Sequence, residues 1–365
     1  MKYLLVTFID MEKPLRQRPH YLADYLKNEG LLHVLSIKYG RQVGHREIVD
    51  RGDYINTIIE CRFTDLFNEN FLYEQFRPDN FYDVVICEGP WAGYLGMKLK
   101  DKGRAGLYVY EDIDYFPAFF QYDFVYETVR GMEDRCMAKA DLIFTVSKTL
   151  KQFRDGYLDS SKIFISPNGI DKIYASQGVR EDNIIYAGTL DEWSGIDMVI
   201  KAYAKVTESE GNSKFLIYGG GKMVNEYRNL INRLNIADRA FIMGMIPHRT
   251  LIDIYNRSLI GVCVLKPIEV VRYCFPIKLI EYMASGLPSV VTGYGDMDEI
   301  INESGCGISV DYEEDEIADA LLHLIGMGME EREKMADRGR EYAKDFQWKD
   351  IFKDELDIIK ARLSE

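Results

Sequence analysis

The segment from Tyr273 to Gly286 places a lysine and a glutamate where they could bind one anionic ligand. Pro276 suits the first turn of a helix, because that position needs no backbone N–H donor, and the helix is predicted to run from about Ile277 to Ser285 and to stop at Gly286. Lys278 and Glu281 are three residues apart, so on this helix they lie on one face. Free N–H groups at the helix start favour a diphosphate, and the Glu281 carboxylate can accept hydrogen bonds from a ribose diol. The structural alternative is that Glu281 only offsets the helix dipole.

Two further groups of charged residues follow predicted strands in the first half of the chain. Arg16, Arg18 and His20 stand where a helix is predicted to begin, an arrangement suited to a phosphate or to an acceptor. Asp112 and Asp114 could orient a sugar or accept a proton from an acceptor hydroxyl. The alternatives are a solvated basic loop for the first group and helix capping or turn formation for the aspartates.

For two more polar residues, the sequence favours a turn or a surface position over contact with a ligand. Glu88 ends a predicted strand, and a plain turn is favoured there over contact with an acceptor. His248 follows Pro247 and could contact a nucleobase, but placement at the surface is favoured.

These residues lie at the ends of short apolar runs that predict parallel strands. The runs are continuous rather than alternating, which is typical of strands covered on both faces. The predicted strands are Tyr3–Ile9, Val84–Cys87, Leu107–Tyr110, Leu142–Val146, Ile163–Ile165, Ile184–Ala187, Phe215–Tyr218, Ala240–Ile242, Leu259–Leu265, Ser289–Thr292 and Ile308–Val310. Helical patterns fall between them, so the sequence predicts two doubly wound α/β domains joined near Ser166–Asp171.

Composition limits the classes of protein that the sequence can represent. The chain has 365 residues, 47% hydrophobic and 28% charged, which indicates a globular protein of two domains. Its six cysteines form no CxxC pair and are interpreted as reduced thiols. The N-terminus lacks the pattern of a signal peptide, so we expect a cytoplasmic protein. The net charge of −14 argues against nucleic-acid binding.

The run Pro276–Val291 resembles the donor-site signature of retaining GT-B glycosyltransferases, glycosyltransferase family four. Six other segments resemble the same family in order and spacing: Ser166–Asp171, Ile185–Leu190, Gly195–Ile200, Ile217–Gly221, Phe241–Pro247 and Phe346–Trp348. The resemblance is strong over residues 163–350 and mostly architectural before them. It implies two Rossmann-like domains facing a crevice, with a C-terminal helix that crosses back to the N-terminal domain.

The resemblance also implies a division of labour between the domains. Residues 1–168, with the returning helix 350–365, are expected to bind the acceptor, and residues 169–349 the nucleotide-sugar. Glu281 is expected to bind the donor ribose, and Lys278 is a catalytic candidate beside Asp112 and Asp114. The other donor-binding positions implied are Tyr273, Cys274, Phe275, Pro276, Ile277, Gly188, Thr189, Gly220, Met245 and Ile246. No metal and no cofactor are expected, since the nucleotide-sugar is a co-substrate.

The sequence departs from the family at three charged positions. Tyr273 stands where many members have a second glutamate that contacts the sugar. Thr189 and Ser194 stand where many members have an arginine and a lysine on the donor phosphates. Stabilising the leaving group supplies much of the catalysis in such transfers, so other cations must replace them. The candidates are Lys266, Arg272, Lys278 and the loop with Arg16 and Arg18.

The predicted function is transfer of a hexose from a UDP- or GDP-sugar to a glycan or lipid-linked acceptor, with retention, in cell-surface polysaccharide or glycoconjugate synthesis. Residues 1–170 have a net charge of only −3, which leaves open peripheral association with the inner face of the plasma membrane. Two alternatives remain: a non-catalytic glycosyltransferase-like subunit that binds a partner enzyme, and a GT-B epimerase acting on a sugar nucleotide.

Overall fold

In a computed structural model of the protein, the described residues are 1–13, 16–78, 80–174, 180–210 and 212–365. Contacts between residues divide the chain into two compact units. The first comprises Met1–Pro167 and Trp348–Glu365, and the second comprises Asn168–Gln347. Among the described residues, no helix is both long enough and apolar enough to cross a membrane.

The first unit is built on a sheet that has eight strands among its described residues. They are β1 (Lys2–Thr7), β2 (Leu31–Tyr39), β3 (Arg46–Asp50), β4 (Tyr54–Cys61), β5 (Tyr82–Glu88), β6 (Ala105–Asp112), β7 (Leu142–Thr145) and β8 (Ile163–Ile165). Their order is β3-β4-β2-β1-β5-β6-β7-β8, and of these strands β3 alone is antiparallel to its neighbour. Chain order reverses between β1 and β5, where doubly wound sheets bind ligands beyond the strand ends.

Helices cover both faces of this sheet because its central strands are buried on both sides. In β1, Leu4 and Val6 belong to one hydrophobic core and Tyr3 and Leu5 to the other, and all four are fully buried. The helices of this part of the chain are α1 (Arg18–Leu26), α2 (Phe71–Phe76), α3 (Gly89–Asp101), α4 (Asp123–Lys139) and α5 (Lys148–Asp155).

The second unit has a sheet of six parallel strands among its described residues. They are β9 (Asn183–Ala187), β10 (Lys214–Tyr218), β11 (Ala240–Gly244), β12 (Ile260–Cys263), β13 (Ser289–Thr292) and β14 (Gly307–Val310). The order β11-β10-β9-β12-β13-β14 reverses between β9 and β12, which marks the expected ligand side of this unit. Its helices are α6 (Ile196–Ser209), α7 (Val224–Arg233), α8 (His248–Arg257), α9 (Glu269–Arg272), α10 (Ile277–Ala284), α11 (Met297–Ser304), α12 (Glu314–Gly326) and α13 (Met329–Ala343).

The final helix, α14 (Trp348–Leu363), belongs to the first unit. The Trp348 ring stacks on Tyr21 of α1 with 5.1 Å between ring centroids, and Phe352 packs into the same core. The predicted doubly wound α/β fold in two domains, with a returning C-terminal helix, is therefore confirmed. Strands β2, β3 and β4 lie outside the set of strands predicted from the sequence.

Candidate functional site

Lys278 reaches from the first turn of α10 to the loop that follows β9. Its Nζ donates to the Tyr186 hydroxyl at 3.1 Å and lies 4.2 Å from the centroid of that ring. A Cβ added to Gly188 would lie 2.9 Å from the same Nζ, so the amine occupies the space beside this glycine. The residue is half-buried, and among the described residues it forms no ion pair with a carboxylate. An ammonium group has three donors, so Lys278 retains donors for a ligand.

The loops after β9 and β10 pack backbone against backbone. Gly188 donates from its N–H to the Tyr218 carbonyl at 3.0 Å, and Leu190 donates to the Gly220 carbonyl at 2.9 Å. Gly219 has φ 142°, and a Cβ there would lie 1.8 Å from the Gly188 carbonyl oxygen. Only glycine permits this approach. The predicted donor-binding residues Gly188 and Gly220 are thus parts of one compact turn structure.

Glu281 lies on the turn of α10 that follows Lys278 and contacts two side chains of α8. Its Oε1 is 2.6 Å from His248 Nε2, and its Oε2 accepts from the Tyr255 hydroxyl at 3.4 Å. The hydrogen bond to Glu281 raises the pKa of His248, although burial opposes this shift. His248 lies at the surface, as the sequence favours, with its side chain 44% exposed, and it also contacts Glu281. Tyr255 is not among the predicted site residues. The sequence signal that could have identified it is its position on the same helix, seven residues after His248.

The segment that precedes α10 offers a ligand its backbone groups more than its side chains. Tyr273 and Phe275 are buried, and Phe275 stacks on Phe346 with 5.5 Å between ring centroids. Cys274 is half-buried, and its N–H already donates to the Val271 carbonyl at 3.2 Å. That N–H is therefore not available for the diphosphate, which corrects the expectation for this position.

The helix start itself is formed as the sequence predicts. Pro276 occupies the N-cap position, and Ile277 is the first residue of α10. The predicted end at Ser285 agrees with the observed end at Ala284 to within one residue. Gly286 then takes a left-handed conformation with φ 61°, as is common after the last turn of a helix.

Two other predicted donor residues lie at the end of β11. The Met245 side chain is 84% exposed, and Ile246 is half-buried. Met245 lies beside the glycine turn, since a Cβ on Gly220 would be 3.5 Å from its Cγ. Their placement leaves an apolar surface next to that turn.

The positions that lack the family's cations are occupied in different ways. Thr189 accepts a hydrogen bond from the Tyr186 hydroxyl at its carbonyl oxygen, 2.9 Å away. Ser194 is fully buried, and its hydroxyl donates to the Asp191 carbonyl at 2.7 Å and lies 3.0 Å from the Tyr227 hydroxyl. Ser194 therefore faces the protein interior.

Lys266 precedes the short helix α9, and Arg272 is the last residue of that helix. Neither forms an ion pair among the described residues, and the Arg272 guanidinium lies 5.7 Å from the centroid of the Tyr273 ring. With Lys278, they are three positively charged side chains close together in sequence that form no ion pair among the described residues.

In the first unit, Asp112 is engaged in a buried ion pair and is not available as a base. The Arg154 guanidinium donates to its two oxygens at 2.8 and 2.9 Å, and both side chains are fully buried. Arg154 also donates to Glu133 at 2.8 Å, and Glu133 accepts from the Phe116 N–H at 3.1 Å. This network fixes the loop after β6, so the catalytic assignment of Asp112 is corrected to a structural one.

Asp114 differs from Asp112 because it is only half-buried. Burial, and then the neighbouring Asp112 charge, raises its pKa to about 7. A carboxyl with such a pKa can accept or donate a proton near neutrality. Asp114 thus remains a candidate.

Arg18 is also engaged within the first unit. Its guanidinium donates to Glu111 at 2.8 Å, to the Pro167 carbonyl at 2.9 Å and to Ser166 at 2.7 Å, and it pairs with Glu355 of α14. The side chain is 4% exposed. The expectation that Arg18 binds a phosphate is corrected, because its hydrogen bonds hold the final helix.

The neighbours of Arg18 have local roles at the start of α1. The exposed Arg16 pairs with Asp24 and lies 4.6 Å from the centroid of the Tyr21 ring. His20 accepts from the Gln17 N–H at Nδ1, 3.1 Å away, as part of a capping box. Burial, and then the nearby Arg16, lowers the pKa of His20, so it adds no positive charge near neutrality.

Glu88, at the end of β5, is buried and accepts a hydrogen bond from Thr7. Burial raises its pKa to about 8. It is part of the interior of the first unit rather than a plain turn. Among the described residues, no cluster of three or more His, Cys, Asp or Glu side chains could hold a metal ion.

Comparison with known proteins identifies relatives of this arrangement. Residues 172–342 match the family described as "Glycosyl transferases group 1". An uncharacterized glycosyltransferase from Methanocaldococcus jannaschii is 27% identical over 261 residues, which are 63% of this chain and 62% of that protein. The chain thus spans less than two-thirds of the length of the curated relatives it matches.

Solved structures resemble the chain over nearly its whole length. Sucrose-phosphate synthase from Thermosynechococcus elongatus has a TM-score of 0.82 at 15% identity, covering 99% of each chain. The Anabaena protein HepE, crystallised with UDP and glucose, has a TM-score of 0.76 at 17% identity, also covering 99% of each chain. These similarities show the GT-B fold, and with the family match they support a GT-B glycosyltransferase.

Proposed function

We propose that this chain is a retaining, metal-independent glycosyltransferase that moves a hexose from a UDP- or GDP-sugar to a glycan or lipid-linked acceptor. The observation that carries the proposal is the ammonium group of Lys278. It lies against the glycine turn after β9, at the start of α10, without a carboxylate partner among the described residues. A partly buried cation of this kind favours an anionic ligand, because an unpaired charge is costly to bury.

The charge distribution of the second half of the chain supports the same ligand. Residues 171–365 carry 23 basic and 34 acidic residues, a net charge of −11. Acidic side chains are therefore plentiful, yet Lys266, Arg272 and Lys278 form no ion pair among the described residues. A diphosphate would supply the negative charge that these three residues lack.

The position of Glu281 supports the binding of a nucleoside next to Lys278. It lies three residues after Lys278, on the same face of α10, and its side chain is 15% exposed. Its carboxylate has lone pairs beyond those used by His248 and Tyr255, and a ribose diol offers two O–H donors to them. We infer that the nucleobase lies toward Met245.

The proposed reaction breaks the bond between the anomeric carbon and the donor's β-phosphate oxygen. The electron pair of that bond leaves with the nucleoside diphosphate, and Lys278 stabilises the charge that develops on it. The acceptor hydroxyl forms the new bond on the same face of the sugar, and its proton passes to the leaving phosphate. Retention follows from the resemblance to family four.

The acceptor is proposed to bind the first unit, at the carboxyl end of its sheet. Asp114 is the side chain there that could orient a sugar hydroxyl, because its pKa of about 7 allows both protonation states. A role in cell-surface polysaccharide or glycoconjugate synthesis is proposed from the family resemblance. HepE, which was crystallised with UDP and glucose, supports a UDP-sugar as the first donor to test.

The test is a thermal-shift panel of UDP-, GDP- and ADP-sugars with the wild-type protein and Glu281→Ala. We expect one class of nucleotide-sugar to raise Tm, and Glu281→Ala to lose most of that rise. Glu330→Ala is the matched control, because Glu330 is exposed on α13 and pairs only with Lys334 among the described residues. No rise with any donor, or an equal rise with Glu281→Ala, would falsify the donor site.

A turnover assay with the same protein then distinguishes an enzyme from a non-catalytic subunit. Release of a nucleoside diphosphate in the presence of an acceptor extract is expected of the enzyme. Nucleotide binding without turnover across the whole panel would favour the subunit, to which the uncharged Thr189 and the buried Ser194 point.

A further inference from the structure

His248 covers the carboxylate on which the proposed ribose site depends. It is the first residue of α8, and its side chain is 44% exposed, whereas that of Glu281 is 15% exposed and Tyr255 is fully buried. His248 Nε2 lies 2.6 Å from Glu281 Oε1, which is a short, charge-assisted contact when the ring is protonated.

Two residues of α8 hold the two oxygens of this carboxylate. Tyr255, seven residues after His248 on the same face of the helix, donates to Oε2 at 3.4 Å. That bond is long, so the shorter bond from His248 contributes more to the orientation of the carboxylate. With both oxygens contacted from one side, the remaining lone pairs point away from α8.

We propose that His248 is a positioning residue for Glu281: it orients the carboxylate for the ribose diol of a nucleoside-diphosphate sugar and makes that affinity fall as pH rises. This inference rests on the proposed function, in which Glu281 binds ribose. A fixed carboxylate loses less freedom on binding the diol than a mobile one does, so its contribution to affinity is larger.

The charged groups around the imidazole set the direction of the pH dependence. Glu281 of α10 and then Asp171, which precedes β9, raise the pKa of His248, and burial opposes them. Arg249 follows on the same helix, and Tyr255 faces the shared carboxylate. Protonation therefore strengthens the His248–Glu281 contact, and loss of the proton weakens it.

The experiment measures Kd for UDP-glucose and GDP-mannose by calorimetry from about pH 5.5 to about pH 8.5, the range in which histidine titrates. The esterified diphosphates of these probes do not titrate there. The full-length variants are His248→Ala, His248→Gln and the control His323→Gln, an exposed histidine of α12. Glutamine places a neutral donor near the position of Nε2.

We expect wild-type affinity to fall with rising pH and His248→Ala to bind about tenfold more weakly at low pH, the loss of one charged hydrogen bond. His248→Gln should recover part of that affinity without the pH dependence, and His323→Gln should behave as wild type. A merely structural role would not give this combination.

Equal or tighter binding by His248→Ala, with the wild-type pH dependence retained, would overturn the inference and leave the donor site standing. If the wild-type protein binds neither probe, and the wider donor panel is also negative, the proposed function itself fails.

Discussion

At the scale of single residues, the position of Lys278 is the feature on which catalysis would depend. Tyr186 holds its amine in two ways, through the hydroxyl at 3.1 Å and through the ring at 4.2 Å. The same hydroxyl donates to the Thr189 carbonyl. Tyr186 thus connects the amine of Lys278 to the backbone at Thr189.

Lys278→Met should reduce the rate of sugar transfer by about 10²-fold or more, the effect of removing one preorganised charge-stabilising donor. Methionine is chosen because it keeps most of the apolar stem. The measurement is kcat and kcat/KM with the donor found by the thermal-shift panel. Lys334→Met, on the exposed face of α13, is the control and should leave both constants unchanged. A Lys278→Met enzyme with wild-type kcat would contradict the assigned role.

Sequence spacing could place Lys278 and Glu281 together because both lie on one helix. It could not reveal that Asp112 pairs with Arg154, 42 residues away, or that Arg18 pairs with Glu355, 337 residues away. Charged residues at strand ends have the same appearance in sequence whether they bind a ligand or each other. Tertiary partners decide between the two.

At the scale of elements, the final helix is attached to the first unit by an apolar face and one buried ion network. Arg18 of α1 joins Glu111 of β6 and Glu355 of α14, and all three side chains are under 5% exposed. Among the described residues, Oε1 of Glu111 and Oε2 of Glu355 have no hydrogen-bond partner. Within this network, Arg18 therefore supplies the positive charge that offsets Glu111 and Glu355.

Arg18→Ala should destabilise the protein by about 3–5 kcal/mol, because it leaves two buried carboxylates without their cation. The measurement is the urea midpoint followed by tryptophan fluorescence, which reports on Trp348 among the three tryptophans. Arg62→Ala is the control, since Arg62 is 65% exposed and pairs only with Asp65 among the described residues. A midpoint unchanged in Arg18→Ala would show that the network does not hold α14.

Strands β2, β3 and β4 show the limit of the strand prediction at this scale. β2 and β4 pair in parallel over eight consecutive residues, from Leu32–Tyr54 to Tyr39–Cys61. The polar side chains Ser36, Asn56 and Thr57 interrupt their apolar runs, although all three are buried. Pairing with neighbouring strands satisfies the hydrogen-bonding groups of the backbone and of these side chains together. The local amino-acid composition does not indicate such pairing.

At the scale of the whole molecule, buried carboxyls make stability depend on pH. Burial raises the pKa of Glu88 to about 8 from an ordinary value of 4.5, and burial also raises the pKa of Glu133 and Glu355. Between pH 4.5 and about 8, these carboxyl groups therefore bind more protons in the folded protein than in the unfolded chain. The stability that they contribute falls as pH rises through that window.

We expect the urea midpoint of the wild-type protein to be lower at pH 8 than at pH 6, both within the window set by these pKa values. Glu88→Gln, which keeps the shape but cannot ionise, should reduce the difference between the two pH values. Glu330→Gln, on the surface, should not. A midpoint that rises from pH 6 to pH 8 would contradict the proton uptake inferred for these buried groups.

The two doubly wound units, the start and end of α10, and the three-residue spacing of Lys278 and Glu281 along that helix could be predicted from the sequence alone. These features depend on local periodicity, on the placement of proline and glycine, and on spacing within one helix. All of these are set by residues that are close together in the sequence. The folded structure was needed to show that Arg18 pairs with Glu355, that Asp112 pairs with Arg154, and that His248 contacts Glu281. Such contacts join residues distant in sequence, and burial and charge pairing arise only when the chain has folded.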